Sequence, residues 1–459
     1  MKDGRRPTAA ELAVEQHSAA EPAAERHGAA KPAVERIKAA IEVGDGVTRG
    51  ALSTGLGLPL GTVTTAVAAL IRSGAVVERQ VGVGGRSAGR PAVELVSAGP
   101  ARTLGAVIWT LGRLQTAIAT YGGTILERSE IEVAAQDTTR IDLLEPALRA
   151  VCRRVEAPDR EYAAPDRVVI GVPAPFQRGV GTPYRKPVPA QTASDAEATE
   201  SGAETALGHS PRPDPGQHHR HEHNHEHSEQ HSHERVGAVG FAPWLSTDPA
   251  AELGARLGVP VLVENDANLG ALGEAGSGAG RGFSSVLYIK LGERSVGAGL
   301  VLDGRLHRGS AGFAGELAHI HMDDDGPLCA CGARGCLANR FKQPLLELMQ
   351  SGYDRPLTFA EVLRLAEAGE PGPTRVLREV GRSLGRPLAD LCTFLNPAVL
   401  VLDAALGAAG RHVQAGISEQ IERYAAPAAA AALRIGPGSL GFDADIVGAV
   451  HLARSEALG

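Results

Sequence analysis

The sequence predicts an α/β protein in which a small helical unit ending in a strand–turn–strand precedes a larger domain with one or two central sheets. Three observations support this fold class. A helix–turn–helix pattern fills residues 34–99, and strand-like and helix-like segments alternate from about residue 103. Hydrophobic residues make up 43% of the chain but aromatic residues only 3%, which is typical of cores packed with small aliphatic side chains.

Length, charge and composition indicate a protein of several domains without a membrane span. At 459 residues the chain is long enough for two or three domains, and its net charge of −7 shows no global signature of nucleic-acid binding. The sequence contains no run of about 18 apolar residues, so no membrane span is predicted. The N-terminus lacks the apolar core of a signal peptide, so we expect a cytoplasmic protein.

Two segments are of low complexity. Residues 1–33 form an Ala/Glu-rich tail with ten-residue near-repeats, and an insert at about 190–235 has almost no aliphatic residues after Leu207. We expect both to be disordered. Eight histidines lie within residues 218–233, interleaved with glutamates. The insert either senses or buffers metal or is an expansion with incidental metal affinity, and we favour the second interpretation.

Residues 34–99 have the pattern of a winged helix-turn-helix. Thr48 can cap a short helix, a glycine-rich turn follows, and Pro59 suits the first turn of a second helix that ends near Ser73. Two strand patterns then flank the turn GVGGRSAGRP, which would be the wing.

The wing and the second helix carry the candidate DNA contacts. Arg86 and Arg90 lie in the glycine-rich wing tip with no acid nearby, so they can reach phosphates or the minor groove. Thr62, Thr64 and Thr65 can contact phosphates or thymine methyl groups. The first two turns of the helix carry no arginine, so we do not expect strong guanine readout there. The alternative is a winged helix that only makes protein contacts.

A polar cluster directly follows the apolar strand VPVLV. Asn265 and Asp266 would lie at the carboxyl end of that strand, where α/β proteins bind ligands. Asp266 could act as a general base toward a sugar hydroxyl, and Asn265 could bond a neighbouring hydroxyl. The alternative is that one of the two only caps the following helix.

Three of the five cysteines are clustered, which predicts a metal site. His319, Cys329, Cys331 and Cys336 supply three thiolates and one imidazole, enough to complete a tetrahedral zinc shell with no open position. We therefore expect structural zinc, and the alternative is a set of free thiols.

Residues 103–457 resemble the ROK family of repressors, open reading frames and sugar kinases. The resemblance is carried by LVENDANLGALGEAGSG (262–278), AGFAGELAHIHMDDDGPLCACGARGCLAN (311–339), GVPAP (171–175), VGAGLVLDGRLHRGSAGFAGE (296–316), LNPAVLVLD (395–403) and GFDADIVGAV (441–450). The winged helix-turn-helix and GRPA (89–92) resemble the repressor branch of the xylose and N-acetylglucosamine type.

The resemblance implies an actin-like, hexokinase-like fold of two lobes. A sugar would lie in the cleft, contacted by Asn265, Asp266, Glu316 and His319, with zinc on His319 linking that loop to the cysteines. It also implies a homodimer or homotetramer, and a double-stranded operator DNA as partner.

The sequence departs from the family pattern on the nucleotide side. The kinase motif Asp-x-Gly-x-Thr is missing, because no Asp or Glu lies between Arg102 and Glu127. The second phosphate loop reads LGERSVGAG, where Glu293 would repel phosphates. Asp403, Ala404 and Ala405 replace the family's Gly-Gly. These changes predict that kinase activity is absent.

The sugar side is also altered. Ala318 stands where the family has a glycine, and Ala338 replaces a glutamate, so one hydroxyl contact is lost. The effector could be an unusual sugar, another small molecule or nothing at all. We expect a DNA-binding transcriptional regulator, as a repressor, with a degenerate ROK domain. The alternatives are an active ATP-dependent sugar kinase and a scaffold that uses both domains for protein contacts.

Overall fold

The computed structural model describes residues 32–44, 46–80, 93–110, 113–132, 141–153, 162–174, 176, 249–292, 295–329 and 331–458. The chain divides between Gly99 and Pro100 into two compact units. The His-rich insert, and the tail except for its last two residues, lie outside the described residues. Among the described helices, none has both the length and the apolar character needed to cross a bilayer.

The first unit contains three helices and a two-stranded sheet. Its elements are α1 (Ala33–Glu42), α2 (Arg49–Leu56), α3 (Leu60–Arg72), β1 (Val76–Gln80) and β2 (Val93–Ser97). The Thr48 side chain accepts a hydrogen bond from the Ala51 N–H at 3.2 Å and so caps α2. Gly57 ends α2 with a φ of 63°, and Pro59 precedes α3 as its cap rather than lying within its first turn.

The core of the first unit follows from helical spacing. Ile37 and Ile41 lie on one face of α1, and Val63 and Val67 lie on one face of α3. All four side chains are buried in one core with Leu95 of β2. β1 and β2 pair antiparallel, from Val76 opposite Ser97 to Gln80 opposite Val93. The three helices and the hairpin together form the architecture of a winged helix.

The second unit begins with a five-stranded mixed sheet. Its elements are β3 (Ala101–Thr110), β4 (Arg113–Thr120), β5 (Ile125–Glu132), α4 (Ile141–Arg153), β6 (Tyr162–Val172), α5 (Pro249–Leu257) and β7 (Val261–Asn265). The strand order is β5-β4-β3-β6-β7, with antiparallel pairing through β3 and parallel pairing beyond it. Leu148 and Val151 of α4 are buried in one core with Val168 and Ile170 of β6.

A second five-stranded sheet follows. Its strands are β8 (Ser285–Leu291), β9 (Val296–Leu302), β10 (Arg305–Leu306), β11 (Val399–Leu402) and β12 (Arg434–Pro437). The strand order is β10-β9-β8-β11-β12, so each sheet has a three-stranded antiparallel meander extended by two parallel strands. The helices of this half are α7 (Leu337–Ser351), α8 (Phe359–Glu367), α9 (Pro371–Leu395), α10 (Gly410–Tyr424) and α11 (Pro427–Ala432).

Two further helices pack closely together: α6 (Asp266–Ser277), which directly follows β7, and α12 (Ala444–Leu458). On the α6 side, Leu269 approaches Gly171 of the first sheet, and Ala267 and Ala271 approach Gly299 of the second. The two helices meet backbone to backbone, because a Cβ on Gly273 would overlap the Ala444 carbonyl. α6 therefore lies between the two sheets, with α12 against it.

Candidate functional site

The exposed face of α3 carries the three threonines that the sequence analysis singles out. Thr62, Thr64 and Thr65 are all exposed. The Thr64 hydroxyl donates to the Leu60 carbonyl at 2.8 Å, and the Thr65 hydroxyl donates to the Gly61 carbonyl at 3.0 Å. Both hydroxyls use their proton inside the helix, so this face offers methyl groups and oxygen lone pairs. Arg86 and Arg90 lie outside the described residues.

Arginines of the first unit have partners within it. Arg49 forms an ion pair with Glu78 at 2.6 Å, and Arg79 forms one with Glu94 at 2.9 Å. Arg72 at the end of α3 bonds to the Ala68 carbonyl at 3.3 Å through Nε. Arg49 and Arg79 are therefore compensated by acids, whereas Arg72, like Arg36, bonds to a neutral carbonyl that does not compensate its charge.

Asn265 lies at the junction of β7 and α6 and acts as the helix cap. Its side-chain oxygen accepts from the Asn268 N–H at 3.0 Å, and its side-chain nitrogen donates to the Ala174 carbonyl at 3.2 Å. The capping role that the sequence left open is confirmed for this residue. A ligand contact by Asn265 would have to share these two bonds.

Glu264 lies beside this cap and is buried, with only 2% of its surface exposed. It accepts from the Arg308 guanidinium at 2.6 Å and from the Asn268 side chain at 2.9 Å. Arg308 follows β10, so this ion pair links the last strand of the first sheet to the second half of the unit. Glu264 thus has a positional role that the sequence analysis did not identify.

Asp266 lies at the first position of α6, with both carboxylate oxygens in use. Oδ1 accepts from the Ala267 N–H at 2.9 Å, and Oδ2 lies 3.0 Å from Nζ of Lys290 at the end of β8. Lys290 also forms an ion pair with Asp445 at the start of α12. The Asp266 carboxylate is therefore held between the first turn of α6 and Lys290.

The charged groups of this cluster shift one another's pKa values. Burial opposes the charge on Lys290, but Asp266, Asp445 and Asp403 outweigh it and raise the pKa of the ammonium above its usual range. Burial raises the pKa of Asp445 to about 6, although Lys290 lowers it. The Asp403 carboxyl at the end of β11 also has a raised pKa, again because of burial.

Glu316 and His319 are the other two residues of the candidate ligand site. Their Oε2 and Nε2 atoms are 4.0 Å apart. Burial, with a smaller contribution from the charge on Asp266, raises the pKa of Glu316 to about 7. Burial also lowers the pKa of His319, so its imidazole is favoured in the neutral form that binds metals.

His319 also belongs to the cysteine loop, defined as residues 319–336. Its Nδ1 lies 3.7 Å from the Cys329 sulfur, and the sulfurs of Cys331 and Cys336 are 3.6 Å apart. The four ligand atoms all lie within 4.8 Å of one another. A tetrahedral zinc with bonds of about 2.3 Å requires ligand separations of about 3.8 Å, so the arrangement fits.

Glycines allow the cysteine loop to close this tightly. Gly332 and Gly335 have φ angles of 90° and 63°. A Cβ on Gly335 would overlap the Asp323 carbonyl, whereas one on Gly332 meets nothing within 4 Å. The Cys329 N–H donates to the Ala333 carbonyl at 2.7 Å and closes the turn. The predicted metal ligands are thus brought together by a short segment of chain.

Lys290 and Asp445 are the charged partners that the sequence analysis missed. The available signal was weak: Lys290 is the one charged residue in the strand SVLYIKL, and Asp445 is the only charged residue in the first half of α12. Neither belongs to a motif by spacing. Glu293, expected to repel phosphates, lies outside the described residues.

Known proteins match both the fold and the sequence. The model of the ROK family matches residues 241–456. A glucokinase of Streptomyces coelicolor is 32% identical over 242 residues, covering 47% of this chain and 75% of the glucokinase. The chain belongs to the ROK family. Its predicted family membership is therefore confirmed.

Repressors are among its relatives. The xylose repressor of Bacillus subtilis is 31% identical over 160 residues, covering 35% of this chain and 41% of that repressor. The xylose repressor of Bacillus spizizenii is 28% identical over 206 residues, covering 45% of this chain and 53% of the repressor. The match thus spans about half the length of these curated relatives.

Solved structures confirm the predicted actin-like, hexokinase-like fold. A ROK family transcriptional regulator, a homologue of the Escherichia coli Mlc protein, superposes with a TM-score of 0.64 at 20% identity, covering 93% of this chain and 97% of the other. A ROK glucokinase from Streptomyces griseus gives a TM-score of 0.54 at 22% identity, covering 77% and 99%.

Proposed function

We propose that this ROK protein is a sequence-specific, DNA-binding transcriptional repressor whose ROK domain binds a sugar and does not phosphorylate it. The observation that carries the proposal is the winged helix placed before the ROK domain. The likeness to the transcriptional regulator extends over 93% of the chain, whereas the likeness to the glucokinase extends over 77%. The additional part of the chain that the regulator matches accommodates the winged helix.

The DNA contacts would come from α3 and the wing. Thr62, Thr64 and Thr65 present methyl groups and lone pairs, which suit thymine methyls and the amino groups of adenine or cytosine in the major groove. Arg86 and Arg90 would supply phosphate or minor-groove contacts. The family resemblance favours a homodimer or homotetramer on a palindromic operator.

The sugar would lie against Asp266, Glu316 and His319. Asp266 can accept a hydroxyl hydrogen bond although its oxygens already have partners, because each carboxylate oxygen has two lone pairs. Asp266 is near enough for its charge to act on Glu316, which lies 4.0 Å from Nε2 of His319, so one ligand would reach all three. The neighbourhood is rich in acceptors, which suits a neutral polyhydroxy compound.

Zinc would be held by His319, Cys329, Cys331 and Cys336. The metal would supply structural cross-linking and, with four protein ligands, would leave no position for a substrate. His319 faces the sulfurs through Nδ1 and Glu316 through Nε2. The position of the imidazole near the sugar would therefore depend on the cysteine loop.

A selection of genomic DNA fragments with the full-length chain tests the DNA-binding role. We expect enrichment of one palindromic sequence, and a footprint on it that D-xylose or D-glucose weakens. The triple variant Thr62→Ala, Thr64→Ala, Thr65→Ala should bind this site at least about 10-fold more weakly. The control Arg355→Ala, an exposed change in the ROK domain, should bind normally. Failure to enrich any sequence would refute the proposal.

An active sugar kinase is the competing function, and glucokinase relatives favour it. The altered nucleotide side argues against it, because no Asp or Glu lies between Arg102 and Glu127 and because Asp403, Ala404 and Ala405 replace the Gly-Gly of the family. Incubation with Mg-ATP and D-glucose, N-acetylglucosamine or N-acetylmannosamine should give no sugar phosphate above background. Turnover that disappears in Asp266→Asn would establish the kinase instead.

A further inference from the structure

Lys290 occupies an unusual position for a charged residue. It ends the apolar strand β8, and its side chain is only 18% exposed. Its Nζ is 3.0 Å from Asp266 Oδ2 and donates to Asp445 Oδ2. Asp403 is close enough for its charge to act on the same ammonium. One buried cation is therefore shared among carboxylates from separate elements.

These carboxylates lie at the beginnings of two helices. Asp266 is the first residue of α6, and Asp445 is the second residue of α12. Acidic residues are favoured at helix N-termini because they compensate the helix dipole, and here both converge on one ammonium. The two helices also touch through Gly273 and Gly448, which approach Ala444 and Leu269 of the partner helix.

The packing leaves this cluster little freedom to rearrange. Water cannot easily replace Lys290, since Asp266 and Asp445 are both nearly buried. Removing one member of a buried ion pair leaves an uncompensated charge, which is strongly unfavourable. A substitution of any one of the three residues should therefore change the positions or the protonation of the other two.

We propose that Lys290 is the positioning residue of the ligand site, which fixes the Asp266 carboxylate and, through Asp445, links the first turn of α6 to the first turn of α12. The role in ligand binding rests on the proposed sugar site, but the link itself does not. A ligand that contacts Asp266 would act on both helices through Lys290. Asp266 is then a hydrogen-bond acceptor in a preset position.

Hydrogen exchange of the full-length chain, followed by mass spectrometry, tests the link. Asp445→Asn should raise exchange about 10-fold in residues 267–273 of α6, although Asp445 lies on α12. Lys290→Met should do the same in α6 and in residues 446–452 of α12. Lys290→Arg keeps the charge and should leave both segments close to wild type. The control Lys342→Met, in α7, should change neither segment.

The double variant Lys290→Met, Asp445→Asn sharpens the test. Because both changes break one shared interaction, its effect on α6 should not exceed that of the larger single change. Strictly additive effects, or an Asp445→Asn effect confined to α12, would overturn the proposal. So would a rise in exchange spread evenly over β3, β6 and α9, which indicates general destabilisation.

Two safeguards keep the result interpretable. If Lys290→Met does not fold, Asp445→Asn and Lys290→Arg still decide the question, because both retain a cation beside Asp266. If D-xylose and D-glucose fail to bind the wild type while the exchange coupling is present, the sugar-binding function fails and the link stands. Loss of the coupling with sugar binding intact refutes the link alone.

Discussion

The cysteine loop and the charge cluster around Lys290 are built in opposite ways. The cysteine loop takes its four candidate ligands from residues 319–336, and they lie together because the segment turns tightly at two glycines. The charge cluster takes Asp266, Lys290, Asp403 and Asp445 from widely separated parts of the chain. The loop would need a metal to balance three thiolates, whereas the charge cluster contains a cation of its own.

The largest effect should come from removing a ligand of the cysteine loop. Cys331→Ser should lower bound zinc by about one per chain relative to the wild type, in which the His-rich insert also offers metal ligands, and should destabilise the ROK domain by about 4 kcal/mol, because loss of a structural metal is among the most damaging changes. Elemental analysis and urea unfolding measure the two quantities. The control Cys152→Ser should retain zinc, and full zinc in Cys331→Ser would show that another ligand set is used.

The glycine geometry of the same loop predicts the next effect. Gly335→Ala should cost about 3 kcal/mol, since it combines a left-handed backbone with overlap of the Asp323 carbonyl. Gly332→Ala is the matched control: it has a positive φ but open space, so it should cost only about 1 kcal/mol. Urea midpoints compare the two. Equal losses would mean that backbone conformation alone limits the loop.

The ion pair between Arg308 and Glu264 should contribute less to the stability of the ROK domain. Arg308→Gln leaves the Glu264 carboxylate without its cation, but Asn268 and the Asn265 N–H still donate to it. We expect a loss of about 2 kcal/mol, the cost of a poorly satisfied buried charge. Arg305→Gln, at an exposed position of β10, should be neutral. A neutral Arg308→Gln would show that the pair does not join the two halves energetically.

The smallest effect separates the two interpretations of Asn265. Asn265→Ala should cost about 1 kcal/mol in urea unfolding through loss of the α6 cap, while Asn265→Ser keeps a capping oxygen and adds no charge beside Asp266. If the residue acts only as a cap, Asn265→Ser should leave any affinity for D-xylose or D-glucose at the wild-type value. A large loss of sugar affinity in Asn265→Ser at wild-type stability would assign it a ligand contact as well.

The fold was accessible from the sequence because its elements carry their own signals. Apolar runs such as VPVLV and NPAVLVLD give strands, and Thr48 and Gly57 mark the ends of α2. The first position of α3 was harder to place, because Pro59 is compatible with both a cap and a first turn. The sequence predicted one or two central sheets but no strand order, since spacing alone does not specify which strands pair.

The sequence predicted the residues of the cysteine loop but not the surroundings of Asp266. The cysteine loop is local, so residue type and spacing were enough to identify its four candidate ligands. The environment of Asp266 is set by residues far along the chain: Lys290 and Asp445 reach it only after two sheets and two helices have packed. A single lysine in an apolar strand does not indicate which carboxylate it will meet.

The charge pattern of the winged helix has a consequence for how affinity would respond to salt. Each phosphate neutralised by a protein cation contributes about −0.9 to the slope of log affinity against log salt concentration. Lys38, Arg49 and Arg79 already have acidic partners within the unit. Counterion release on binding DNA would then come mainly from the wing residues Arg86 and Arg90, with a smaller contribution from Arg72 at the end of α3. A shallow salt dependence, with its main part lost in Arg86→Ala, Arg90→Ala, would be the signature of a protein that recognises its operator chiefly by surface complementarity.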